Sequence, residues 1–183
     1  AYAKAHGTTV VGPGCAGLIA PGKSKVGSHP VRFFRPGRVG IVSKSGALSY
    51  EIGKTLSDAG IGQSTIAALG GGPIWGFTQK DAVAHFAKDP DTDVIVLLGE
   101  IGGNTEELAA AYIKEYVDKP VVALIVGRNA PKGKSLGHAG AIVSGATGTA
   151  AGKIAALQDA GAYVVANPQE MVHVIRKLLN KGE

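Results

Sequence analysis

The sequence predicts a three-layer α/β fold built on a doubly wound, mostly parallel sheet. Three observations predict it. Short β-branched runs alternate with helical patterns along nearly the whole chain, the signature of strand–helix–strand units. The runs are almost continuously apolar, as in Val94-Ile95-Val96-Leu97-Leu98, and a strand needs that only when both of its faces are covered. Glycine is abundant, 28 of 183 residues, while aromatic residues make up 5%, so tight turns outnumber bulky core fillers.

The elements follow in order. The chain opens without Met on what reads as a helix running into a strand at 8–11, and is expected to be a fragment. Residues 12–37, rich in Gly, Pro and Lys, show no period and are expected to wrap the surface or join another domain. A strand at 38–42 leads through Ser45, a residue suited to cap a helix, into a helix at 47–59 stopped by Gly60. A strand at 64–69 and a helix at 79–88 come next. The strand at 93–98 precedes a helix at 105–117, entered at Asn104 with Glu106 and Glu107 in its first turn, where the helix dipole favours acids. Asp118-Lys119-Pro120 marks a boundary at the strand 120–126. The helix at 150–160 ends at Gly161, and after a strand at 162–165 Asn167-Pro168 starts a helix at 168–180.

A chain of 183 residues, 45% hydrophobic, can bury about 70% of the surface its unfolded form exposes. That is enough for one core. No apolar run approaches the roughly 20 residues needed to span a bilayer, and Cys15 is the only cysteine, which excludes a disulfide framework. No signal peptide is visible. A soluble intracellular domain is the expectation. Charge is uneven: residues 1–50 carry seven bases and no acid, the remainder twelve bases and fourteen acids. Such asymmetry points to an anionic ligand or partner near the N-terminal third, or to a missing acidic counterpart. Nucleic acid gains little support, with no binding motif and few aromatic residues to stack on bases.

Ligands of open parallel sheets bind beyond the carboxyl ends of the strands, so the chemistry is sought in the loops there. Ser43-Lys44-Ser45-Gly46 leads straight into a helix, and small residues at a helix start expose backbone N–H groups to an anion. Plain N-capping by Ser45 accounts for the same residues, and the loop alone leaves both readings open. Gly99-Glu100-Ile101-Gly102-Gly103 follows another strand, and Gly70-Gly71-Gly72-Pro73 a third. His138 stands in Leu136-Gly137-His138-Ala139-Gly140, where little bulk shields its ring. A neutral imidazole is a competent nucleophile toward phosphorus, and a carboxylate on its other nitrogen would stabilise the product; Glu100 is the candidate. A structural histidine remains the alternative. No P-loop, no GxSxG elbow and no close pair of metal ligands is present.

Four motifs in register resemble one family. Gly12-Pro13-Gly14-Cys15-Ala16-Gly17, the stretch Val39-Gly40-Ile41-Val42-Ser43-Lys44-Ser45-Gly46-Ala47-Leu48-Ser49-Tyr50-Glu51, Gly99-Glu100-Ile101-Gly102-Gly103, and Ala130-Pro131-Lys132-Gly133-Lys134 with Gly137-His138-Ala139-Gly140-Ala141-Ile142 look like the succinyl-CoA synthetase α-subunit family. The resemblance covers its C-terminal, flavodoxin-like ligase domain. It implies that residues 38–183 form that domain, and that 1–37 hold the end of a CoA-binding Rossmann domain and a connecting segment. It also implies a reversible acid-thiol ligase that joins succinate to CoA through an acyl phosphate and a phosphohistidine. By the same resemblance His138 carries the phosphoryl group, Glu100 orients it, Ser45 and Gly46 bind phosphate, and Tyr50 contributes to the carboxylate substrate site. CoA would sit mainly on the preceding domain. ATP or GTP with Mg²⁺ would sit on a partner β subunit of the ATP-grasp class, and the setting would be cytoplasm, or mitochondrial matrix in a eukaryote.

The chain departs from the family pattern at Gly14, Gly72, Trp75 and Ser135-Leu136. Cys15-Ala16-Gly17 and Pro21-Gly22-Lys23-Ser24 are also similar to malate-CoA ligase. Two alternatives therefore stand beside the succinate reading: a malate or other acid-CoA ligase subunit, and a non-catalytic fragment that only binds β.

Overall fold

Strand formation follows apolar content. In the computed structural model, which describes residues 2–130, 137–143 and 148–180, seven strands form one sheet. They are β1 (Gly17–Ala20), β2 (Ser24–Gly27), β3 (Pro36–Ser43), β4 (Gln63–Ala68), β5 (Val94–Glu100), β6 (Val121–Val126) and β7 (Tyr163–Val165). Their order is β2-β1-β4-β3-β5-β6-β7. The five strands from β3 onward are parallel, whereas β1 runs antiparallel to both β2 and β4. Numbered among themselves, the parallel strands lie 2-1-3-4-5, the flavodoxin-like order.

Six helices flank the described chain: α1 (Tyr2–Ala5), α2 (Gly46–Asp58), α3 (Gln79–Lys88), α4 (Thr105–Tyr116), α5 (Ala150–Asp159) and α6 (Pro168–Leu179). The period of two in β5 divides the core. Ile95 and Leu97 join Val83, Phe86, Ala109, Ile113 and Leu157 on the face covered by α3, α4 and α5. Val94, Val96 and Leu98 join Ile52, Leu56, Met171 and Ile175 on the face covered by α2 and α6. All seven residues of β5 are buried, and each large apolar side chain so covered contributes roughly 1.5–3 kcal/mol.

Local signals act where they were expected. Ser45 caps α2 by accepting from the Leu48 N–H, and Asn167 caps α6 by accepting from the Glu170 N–H, with Pro168 in the first turn. Gly60 and Gly161 follow α2 and α5 at φ of 85° and 80°, the left-handed stop that glycine adopts most readily. Asn104 differs: its side chain makes no capping bond to α4.

Two expectations fail near the N-terminus. Residues 8–11 form no strand. Their β-branched composition fits a pleated, half-covered surface, but β1 and β2 occupy that edge of the sheet and Val10 stays exposed. Conversely, the aperiodic stretch 12–37 contains the β1–β2 hairpin, closed at Pro21-Gly22-Lys23. All four residues of β2 are exposed, so no alternation betrays it; the short glycine-containing turn was the available signal.

That hairpin rests on His29, which is 1% exposed. Its Nε2 donates to the Gly17 carbonyl at 3.0 Å, and its ring meets Phe34 and Tyr50 edge-on. Burial pushes the imidazole pKa down, outweighing the Gly17 hydrogen bond. Below its ordinary value of 6.5 the unfolded chain takes up a proton that the native chain resists, so stability falls with pH there. We expect the melting temperature to drop between pH 7 and 5 by less in His29→Gln than in the parent, measured by scanning calorimetry. Superimposable pH profiles would remove His29 as the cause.

Candidate active site

Where the chain leaves β3 for one side of the sheet and β5 for the other, the two carboxyl ends diverge and leave a crevice. On the β3 side, Ser43 organises the turn: its Oγ donates to the Ser45 carbonyl at 2.7 Å and accepts from the Ser45 N–H at 3.0 Å. Ser45 then caps α2 through its hydroxyl, so the hydroxyl serves the helix, whose first N–H groups have no partner inside it. The Tyr50 hydroxyl lies over Gly46, 3.6 Å from where a Cβ would stand, and meets the Ser28 hydroxyl at 3.3 Å. Ser45, Gly46 and Tyr50 thus form one cluster.

On the β5 side, Glu100 ends the strand with its side chain 9% exposed, and His138 Nδ1 lies 2.7 Å from Glu100 Oε2. A carboxylate accepts, so in the neutral ring the proton sits on Nδ1 and Nε2 keeps its lone pair. The His138 loop is pinned by its backbone. Gly140 N–H donates to the Gly71 carbonyl at 3.1 Å, and Ala141 N–H to the His138 carbonyl at 3.0 Å, while the Ala141 side chain is buried in the core. Gly71 makes room for the imidazole: a Cβ there would stand 2.2 Å from His138 Cγ and Nδ1. The motif residues 131–136 lie outside the described residues, as do 144–147.

Beneath the crevice is a charged cluster that sequence reasoning missed. Glu106 is fully buried, and Lys44 and Lys153 are 4% and 0% exposed. Glu106 Oε1 takes Lys44 Nζ at 2.9 Å and the backbone N–H of Glu100 at 3.2 Å. Glu106 Oε2 takes Lys153 Nζ, Lys44 Nζ at 3.1 Å and the Thr105 hydroxyl at 3.2 Å. Lys153 also reaches Glu107 at 2.9 Å and the Gly103 carbonyl at 3.0 Å. Trp75 closes the cluster, its ring centroid 5.4 Å from Lys44 Nζ and its indole N–H bonded to the Gly70 carbonyl at 2.9 Å. Burial pushes the Glu106 pKa up, but the charges and hydrogen bonds of Lys44 and Lys153 outweigh it and leave the carboxyl below its ordinary value.

Similarity to known proteins points the same way. The CoA-ligase family model matches residues 42–163. The α subunit of ADP-forming succinate–CoA ligase from Aquifex aeolicus is 51% identical over 170 residues, 93% of this chain and 56% of that protein. The α subunit of malate–CoA ligase from Methylorubrum extorquens is 45% identical over 181 residues, 99% of this chain and 61% of that protein. The chain therefore spans less than two thirds of the length of these relatives. Among solved structures, ATP citrate lyase from Methanothrix soehngenii, in complex with citrate and coenzyme A, superposes with a TM-score of 0.89 at 32% identity, covering 98% of this chain and 32% of that one.

Two outcomes are expected. Gly71→Ala should displace the imidazole without unfolding the chain, and ¹⁵N spectra of the His138 ring should change from the single Nδ1–H tautomer to a mixture; an unchanged tautomer would show that Glu100 does not hold the ring. Glu106, with its native pKa depressed, stabilises the fold fully above its ordinary value of 4.5 and loses that contribution as pH falls through the lower native value. Urea unfolding between pH 4.5 and 3 should therefore lose stability more steeply in the parent than in Glu106→Leu/Lys44→Met/Lys153→Met.

Proposed function

Because the chain belongs to the CoA-ligase family, we propose that it is the phosphoryl-carrying part of an acid-CoA ligase α subunit, with His138 as the carrier. The observation that supports this reading most is the 2.7 Å bond between His138 Nδ1 and Glu100. It leaves Nε2 as the nucleophile. In the acyl-phosphate direction, Nε2 attacks phosphorus, the N–P bond forms, and the P–O bond to the acyl group breaks with its electron pair leaving as the carboxylate of the acid. The ring is then cationic, and Glu100 stabilises it through the retained Nδ1–H. In the reverse direction the acid's carboxylate takes the phosphoryl group and the imidazole becomes neutral again.

The remaining roles divide between the two sides of the crevice. The N-terminus of α2, at Ser45 and Gly46, holds the phosphate by its first N–H groups and helix dipole, and Tyr50 beside Gly46 helps place the carboxylate substrate. CoA supplies the thiol and is assigned mainly to the domain whose end occupies residues 1–37, with the ligase domain at 38–183. The β1–β2 hairpin within the first segment completes the sheet of the second. Nucleotide and Mg²⁺ are assigned to an ATP-grasp β subunit, and succinate is the first choice of acid. Malate is the second, on the strength of similarity to a malate–CoA ligase α subunit along nearly the whole chain.

The full-length chain with its β subunit, labelled ATP and Mg²⁺ should gain acid-labile, base-stable phosphate. His138→Asn should abolish the label and Glu100→Gln slow it about 10- to 100-fold, the range by which loss of the orienting partner impairs a metal-binding imidazole. Label retained in His138→Asn overturns the reading. Turnover with succinate, malate and citrate then identifies the acid.

A further inference from the structure

The pair that carries the chemistry is itself held from below. Glu106 Oε1 accepts the backbone N–H of Glu100 at 3.2 Å, and Lys44 Nζ spans both carboxylate oxygens, 2.9 Å from Oε1 and donating to Oε2 at 3.1 Å. One carboxylate thus binds the residue that orients His138 and the side chain of the residue next to Ser45. Oε2 also takes Lys153 from α5 and the Thr105 hydroxyl, so both oxygens are engaged. Gly99 leaves the space: a Cβ there would stand 2.6 Å from Glu106 Cγ. We infer that Glu106 is the positioning residue of this site, its single buried carboxylate locking the carboxyl end of β5, and with it Glu100, to the loop that opens α2. The inference rests on the reading of His138 as phosphoryl carrier.

Stability alone does not call for this arrangement. Buried ion pairs are often replaced by apolar side chains of similar volume with no loss of stability. An apolar replacement would lack two things: an acceptor for the Glu100 N–H and a tie from that strand end to Lys44. Without them Glu100 is free to shift, His138 Nδ1 is no longer committed to its partner, and either ring nitrogen can react. The regiochemistry of phosphorylation therefore reports on Glu106, and a role confined to folding would leave it unchanged.

Phosphoramidate is a suitable probe, since it transfers its phosphoryl group to imidazole directly: the ring nitrogen bonds phosphorus, the P–N bond of the reagent breaks, and ammonia leaves. The full-length chain, assembled with its partner subunit, is treated with phosphoramidate, and the isomers are resolved by ³¹P and ¹⁵N NMR. The parent is expected to form only the Nε2 phosphoryl isomer on His138. Glu106→Gln is expected to label about 10- to 100-fold more slowly and to yield the Nδ1 isomer as well. Should that variant fail to fold with two lysines uncompensated, Glu106→Leu/Lys44→Met/Lys153→Met removes the charges together. It is expected to melt within a few degrees of the parent and still label slowly at both nitrogens. Parental rate and pure Nε2 product in a folded Glu106 variant overturn the positioning role while leaving His138 as carrier. No label on His138 in the parent overturns both.

Discussion

A strand that is apolar on both faces must send its polar groups to its ends. β5 is buried along all seven residues, and the rest of the molecule is arranged around that constraint. The helices that cover it meet it with apolar side chains, apart from Gln79 of α3, whose neutral amide donates to the Leu98 carbonyl at 3.1 Å, and charge gathers where the strand stops, at Glu100. The same holds for β3, buried from Val39 to Ser43, which places Lys44 beside Glu100 at the neighbouring strand end. The placing of the crevice is thus a consequence of how the core is made, since a charge in the middle of either strand would be buried among apolar side chains without a partner.

Concentrating charge at a sheet edge brings its own cost, since lysine and glutamate side chains out of water are stable only when each donor and acceptor is met. The structure meets it by drawing on α4 and α5, which contribute Glu106 and Lys153. Two helices that otherwise only cover the sheet become structural partners of the two loops. The first turn of α4, whose acids are conventionally ascribed to the helix dipole, here turns its carboxylates toward lysines instead.

How far the sequence could be read follows from the same physics. The parallel sheet was legible because uninterrupted apolar runs such as 94–98 have few other uses. The contact of Glu100 with His138 was legible because Glu100 ends a strand at a glycine-rich loop and His138 stands among small residues. The β1–β2 hairpin was hidden by its exposure. The Glu106 cluster was hidden for a different reason: Lys44, Glu106 and Lys153 have the local setting of surface charges, and only a tertiary contact between residues 62 and 47 positions apart turns them into an interior. Ser45 was readable as a cap, and the structure makes it one.

Trp75 is the chain's sole tryptophan, and it lies against Lys44 while bonding the carbonyl of Gly70, next to the glycine that receives the imidazole. An indole that lies over a lysine of the buried cluster is a fluorophore built into the framework beneath the crevice. Its emission is a single-site optical signal that requires no label, allowing any change in the packing of Lys44 against it to be timed in a stopped-flow instrument.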